Sequence, residues 1–214
     1  MKLKTIDIDL DAMDRDGIAA AQTITASTEL TLNGALGTTL DYARIIGVYS
    51  GADLSTSTFA IVGTNANGET QSETIATGPN AGTVVSTKLY KTITSVTPGA
   101  TIASNVEVGT VATTLSAESK IIPLNYYANT ATTVSVDVTG TINFTVYEAF
   151  SPVARVAPSA VVWNSVTALA AKTADTTSAI TLHATAVKIV VNSYSSGAEL
   201  QMYVNEGDAY LGCC

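Results

Sequence analysis

Five aspartates, Asp7, Asp9, Asp11, Asp14 and Asp16, run up to Gly17 and form the densest acidic set in the chain. Carboxylates spaced by two open the calcium loop of an EF-hand. Counted from Asp7, however, the sixth position is Ala12 where that loop needs Gly. The twelfth is Ile18 where it needs a bidentate Glu. The EF-hand reading fails on both counts. In an extended strand Asp7 and Asp9 share one face. Two readings remain: a solvated acidic edge that discourages stray strand pairing, and an irregular Ca²⁺ site at Asp7, Asp9 and Asp11. The first is the expectation, so neither a metal nor a cofactor is predicted.

The one histidine, His183, stands in ITLHAT and reads as a strand residue, with Ile180 and Leu182 on the opposite face. A Ser-His-Asp triad on an α/β sheet announces its serine with a Gly-x-Ser-x-Gly elbow, which this chain lacks. It also lacks a Walker loop and a dinucleotide fingerprint. Glycoside hydrolysis needs two carboxylates facing across a cleft, for which no motif exists. Glu148, Glu199 and Glu206 flank strand patterns and read as surface positions. No catalytic residue is predicted, and the chain reads as a non-enzyme.

Cys213 and Cys214 are adjacent, so a disulfide between them would be strained, and two thiols make neither a zinc site nor a disulfide framework. They read as a free tail or as a contact between subunits around a symmetry axis. Tyrosine is enriched, nine against three Phe and one Trp. Amphipathic aromatics suit subunit interfaces and sugar-binding faces. The interface candidates are Tyr126, Tyr127, Tyr203 and Tyr210, together with Cys213 and Cys214.

The elements that must position these groups are strands. From Thr58 to Thr101 apolar and Thr-rich positions alternate, broken at Asn65-Ala66-Asn67-Gly68 and again at Gly78-Pro79-Asn80-Ala81-Gly82. This reads as a β-meander. Lys2–Leu10 reads as an edge strand and Leu40–Ser50 as a core strand. Val134, Val136 and Val138 line one face of a strand that Thr139-Gly140 turns into a hairpin with Ile142, Phe144 and Val146. Ser195-Ser196-Gly197 is a tight turn between the last two strands. Ala168–Thr177 is the best place for a short helix, or equally a long polar loop, and Ala179–Ala184 reads as a strand. Strand patterns recur at the spacing of an all-β sandwich or barrel. The predicted fold is all-β, with two β-sandwich-like domains of antiparallel strands at 1–115 and 120–214.

Composition narrows the partners. Charged residues are 13% of the 214, against roughly 25% in ordinary soluble domains. A polar but uncharged surface fits one covered by neighbouring subunits, because interface cores are depleted in charge. The net charge of −8 and scattered basic residues argue against a nucleic-acid partner. Mean hydropathy is +0.29, yet no apolar run approaches the ~18 residues of a membrane span. The opening MKLKTIDIDL has no apolar core behind its lysines, which predicts synthesis in a cytosol without a secretory signal.

One stretch carries a family likeness. Gly63-Thr64, Gly68, Glu73-Thr74-Ile75, Val85-Ser86-Thr87, Tyr90 through Val96, and Val106-Glu107-Val108-Gly109-Thr110 follow an order of turn glycines and strand residues. That order resembles tailed-bacteriophage virion proteins, and the segment from Trp163 to Gly207 looks like the companion half of the same proteins. The resemblance implies a structural component of the particle, most simply a capsid decoration or cement protein, otherwise a tail, collar or head-to-tail component. It implies partners in copies of the chain and in the major capsid protein, a location in the virion after synthesis in the host cytoplasm, and no catalytic residue. A carbohydrate-binding module of a receptor-binding fibre is the reading from another class.

Overall fold

The computed structural model describes residues 2–10, 13–24, 28–111, 116–125, 131–181 and 183–206. The protein is all-β and its described strand pairs are antiparallel. It divides into two compact units, Ala12–Ala117 and a composite of Met1–Asp11 with Glu118–Cys214. The expected domain 1–115 therefore differs in one respect: its first strand is built into the other unit. The reason is pairing, since β1 (Lys2–Leu10) lies in register along β15 (Ala198–Glu206), from Lys2 opposite Glu206 to Leu10 opposite Ala198.

The unit Ala12–Ala117 holds β2 (Ala19–Ile24), β3 (Thr39–Asp53), β4 (Phe59–Thr64), β5 (Thr70–Ile75), β6 (Asn80–Pro98) and β7 (Ile102–Thr110). They pair in the order β2-β7-β3-β6-β4-β5. The β4/β5 hairpin forms where Asn65–Gly68 predicts it. The Asn65 carboxamide oxygen accepts the Asn67 and Glu69 amides at 2.9 and 3.0 Å, and Gly68 takes φ +83°. The stretch is not a meander, however. β6 returns to pair with β4 instead of β5, and it is one nineteen-residue strand. Its first half runs along β3 and its second along β4.

An extra residue, Thr94, bulges from β6 opposite the Val62–Gly63 step. A bulge bends the strand and strengthens its twist. One face of the strands then gathers Ile46, Val48, Phe59, Ile61, Tyr90, Ile93, Val96, Ile102, Val106 and Val108 into a single core. Side chains of the two outer strands tie them to other backbone. On the β2 side, the Gln22 carboxamide bonds both the amide and the carbonyl of Thr31 at 2.9 Å, as a neighbouring strand would. On the β5 side, Gln71 donates to the Leu89 carbonyl at 2.6 Å, and the Glu73 carboxylate accepts the Thr87 and Lys88 amides.

The other unit contains two sheets. One is β1-β15-β10-β13, with β10 at Thr133–Thr139 and β13 at Thr176–Ala179. The second runs β12-β11-β14, from β12 (Trp163–Ser165) through β11 (Ile142–Ala149) to β14 (Ala186–Tyr194). The two-residue strand β9 (Ile122–Pro123) also pairs with β14, while β8 (Ala117–Glu118) falls at the division between units. Alternation along β15 buries Ala198, Leu200, Met202 and Val204.

Three expectations change in this unit. Thr139-Gly140 does turn the chain, with Gly140 at φ +80°, but it links β10 in one sheet to β11 in the other and makes no hairpin. Ser195–Gly197 does the same between β14 and β15, and the two turns meet where the Ser195 amide donates to the Thr141 carbonyl at 2.8 Å. Ala168–Thr177 is not a helix: it holds the end of a 3-10 turn (Thr167–Leu169) and the start of β13. The strand expected at Ala179–Ala184 stops at Ala179.

Candidate functional site

The acidic run of the sequence does not form one site. Asp7 and Asp9 lie on the exposed face of β1, opposite Gln201 and Glu199 of β15, which in turn face Asp137 and Thr139 of β10. That face carries four carboxylates in a solvated field. Asp14 and Asp16 belong to the other unit. There the Asp14 carbonyl accepts the Thr110 amide at 2.8 Å and the Asp14 amide donates to the Thr110 hydroxyl at 3.2 Å. Partial burial, and then the neighbouring Asp16, push the Asp14 carboxyl above its usual range. Asp11 lies outside the described residues. Among the described residues no three His, Cys, Asp or Glu converge closely enough to hold a metal ion.

Glu148 and Glu206, read from sequence as surface carboxylates, are buried at 7% and 3% exposure. Glu148, near the end of β11, accepts the Thr181 amide at 3.1 Å and the Thr181 hydroxyl at 2.8 Å. That anchors the chain just after β13 and draws it off the sheet. His183 consequently sits in a turn at φ +69°, not on a strand, and its side chain is exposed. Glu206 closes β15. It pairs with the Lys4 ammonium at 3.0 Å and accepts the Asn125 amide at 2.6 Å, while Lys4 also donates to the Pro123 carbonyl.

Two further charged pairs among the described residues are ties of the same kind. Lys188 bonds Glu118 at 3.0 Å with its ammonium 5.0 Å from the Trp163 ring centre. Arg15 pairs with Glu107 and lies 3.8 Å over the Tyr49 ring, and Glu107 and Tyr49 are directly opposite across β7 and β3. Tyr90 is fully buried, and burial first, then Glu73, raises its phenol well above the ordinary value. These groups serve different strands and converge on no common point where a substrate would meet an acid and a base.

Of the interface candidates, Tyr203 is half-buried on the polar face of the β1-β15-β10-β13 sheet, its hydroxyl bonded to the Gln201 carboxamide oxygen at 2.6 Å. Tyr126, Tyr127, Tyr210, Cys213 and Cys214 lie outside the described residues. Leu3, on β1 of the same sheet, is an exposed apolar side chain, as are Met13 and Val85 in the other unit. Phe150 is 47% and Val162 66% exposed. Ala149 pairs with Trp163, so Phe150 and Val162 flank the same end of the β11/β12 pair. Sequence reading passed over both, although their place beside the Pro152–Pro158 crossing, outside any alternating pattern, was the available signal. No protein-family model matches the chain, and no curated protein matches it significantly.

Proposed function

We propose that this chain is a non-enzymatic structural subunit of a tailed-phage virion, working by contact with its own copies and with the major capsid protein. Within the particle its place is the capsid surface, as a decoration or cement protein. The family likeness in the strands and turn glycines points there. The observation that carries the non-enzymatic part is the use of ionisable groups. Glu148, Glu206, Glu118 and Glu107 are each tied to backbone or to a structural cation, while large apolar side chains stand unburied at Phe150 and Val162. Such a surface is built to bind, and repetition by symmetry multiplies small apolar contacts into a stable lattice.

Quantitative mass spectrometry of purified virions, followed by cryo-electron microscopy, tests this directly. The expected result is a fixed copy number per particle, with density on the capsid. Density at the tail, collar or head-to-tail joint would keep the structural role and move its place. Absence from the particles would overturn the proposal.

A further inference from the structure

β1 stands apart from its sequence neighbours. It belongs to the unit made by Glu118–Cys214, while the chain that follows it builds the unit Ala12–Ala117. What holds β1 is noncovalent. It lies in continuous register with β15, the Leu10 carbonyl accepts the Gly197 amide at 3.1 Å, and Lys4 pairs with Glu206 at 3.0 Å. Ile8 and Leu10 bury completely or nearly so, at 2% and 0% exposure. Without β1, the β15 edge of residues 118–214 would be bare beside the buried Leu200, Met202 and Val204. A bare edge next to an apolar face is a template for another strand.

None of these contacts depends on β1 belonging to the same molecule. A second copy offers the identical strand, the same register and the same burial, so exchange alters connectivity and leaves the contacts as they are. Within one chain β1 is joined to Glu118–Cys214 only through the whole of Ala12–Ala117, which is not a short linker, and effective concentration falls as a tether lengthens. Copies packed side by side in an assembly compete with that tether at their own local concentration. We propose that β1 is an exchangeable strand: in an assembly, Lys2–Leu10 of one copy completes the β15 edge of the next. The inference does not require the assembly to be a phage particle.

The test uses the full chain with Cys213→Ser and Cys214→Ser, so that only introduced thiols react. Asp7→Cys is placed in one preparation and Gln201→Cys in another, at positions opposite in the β1–β15 register. The two are unfolded together and refolded under oxidising conditions at protein concentrations up to about millimolar. A mixed disulfide, identified by intact mass, is expected to become the main cross-linked product at the highest concentration and to fall away on dilution. Asp9→Cys mixed with Gln201→Cys, two residues out of register, is expected to give at least tenfold less. The double variant Asp7→Cys/Gln201→Cys, refolded dilute, is expected to close within one chain. Exchange is overturned if the in-register mixture never exceeds the out-of-register one. Failure of the double variant to close would also overturn it, by removing the register on which it rests.

Discussion

Glu206 gathers a cation and a backbone amide from distant parts of the chain, Lys4 at the start and Asn125 81 residues before it. A hydrogen bond to a charged group is worth about 1.5–3 kcal/mol. Glu206→Ala is therefore expected to lower the urea midpoint by that equivalent, with the m-value unchanged. Glu206→Gln should recover part of the loss, because its carboxamide oxygen still faces the Asn125 amide. Equal midpoints for wild type and Glu206→Ala would show that the tie contributes nothing. Asp14 works in the opposite sense. Burial and Asp16 raise its folded pKa, so the folded state holds this proton better than the unfolded state does. Its contribution to stability is therefore present in acid and is lost as pH rises from the ordinary carboxylate range through the raised folded value. Asp14→Asn should stabilise the protein at pH 7 by less than about 1 kcal/mol. The gain should vanish in acid, where wild-type Asp14 is protonated. Urea titrations of both proteins at the two pH values read the difference, and a gain independent of pH would contradict the assignment. The roles of these residues were not legible in the sequence. Glu148 and Glu206 sit in strand patterns like any surface glutamate, and their burial is decided by partners far along the chain, such as Thr181 for Glu148.

Local elements were legible because their causes are local. Asn65–Gly68 carries its turn chemistry in four consecutive residues, and the alternation of Phe59, Ile61 and Gly63 marks the buried face of β4 without reference to any partner. What sequence could not supply was which strand each strand meets. Thr139-Gly140 turns the chain equally well inside a hairpin or between sheets, and only the pairing of β10 with β15, and of β11 with β14, makes it a crossing. The register of β1 with β15 is likewise set by contacts spanning the chain. Gly63 exposes the same distinction. A Cβ there would lie 1.9 Å from the Thr92 carbonyl oxygen, because the β6 bulge brings that backbone close. Gly68, by contrast, needs only its positive φ and meets nothing. Gly68→Ala is expected to cost about 1–2 kcal/mol for the left-handed backbone alone. Gly63→Ala should cost at least the 1–3 kcal/mol typical of overpacking, since the obstruction is main chain and cannot rotate away. Denaturant titrations rank the two, and a Gly63→Ala protein more stable than Gly68→Ala would mean that the bulge yields readily.

At the scale of the molecule, low charge and exposed apolar ends both favour the contact between copies proposed above. Charged residues are half as frequent as usual, so little repulsion opposes contact between copies despite the net charge of −8. Phe150 and Val162 supply apolar area at one end of the β11/β12 pair, and burying what each leaves exposed would contribute about 1–2 kcal/mol per contact. Two such residues hold a pair of copies weakly, whereas a closed ring or lattice repeats the contact and adds avidity. The double variant Phe150→Ser/Val162→Ser separates this role from folding. Both side chains are already exposed in the folded chain, so the unfolding free energy should stay within about 0.5 kcal/mol of wild type. Sedimentation equilibrium should then show the wild-type mean mass rising with concentration and the variant remaining nearer the mass of a single chain. Raising the salt should leave the wild-type association intact or strengthen it, because apolar burial is not screened as ion pairs are. If variant and wild type associate alike, the apolar end of β11 and β12 is not where copies meet, and the polar sheet face around Tyr203 becomes the surface to mutate next.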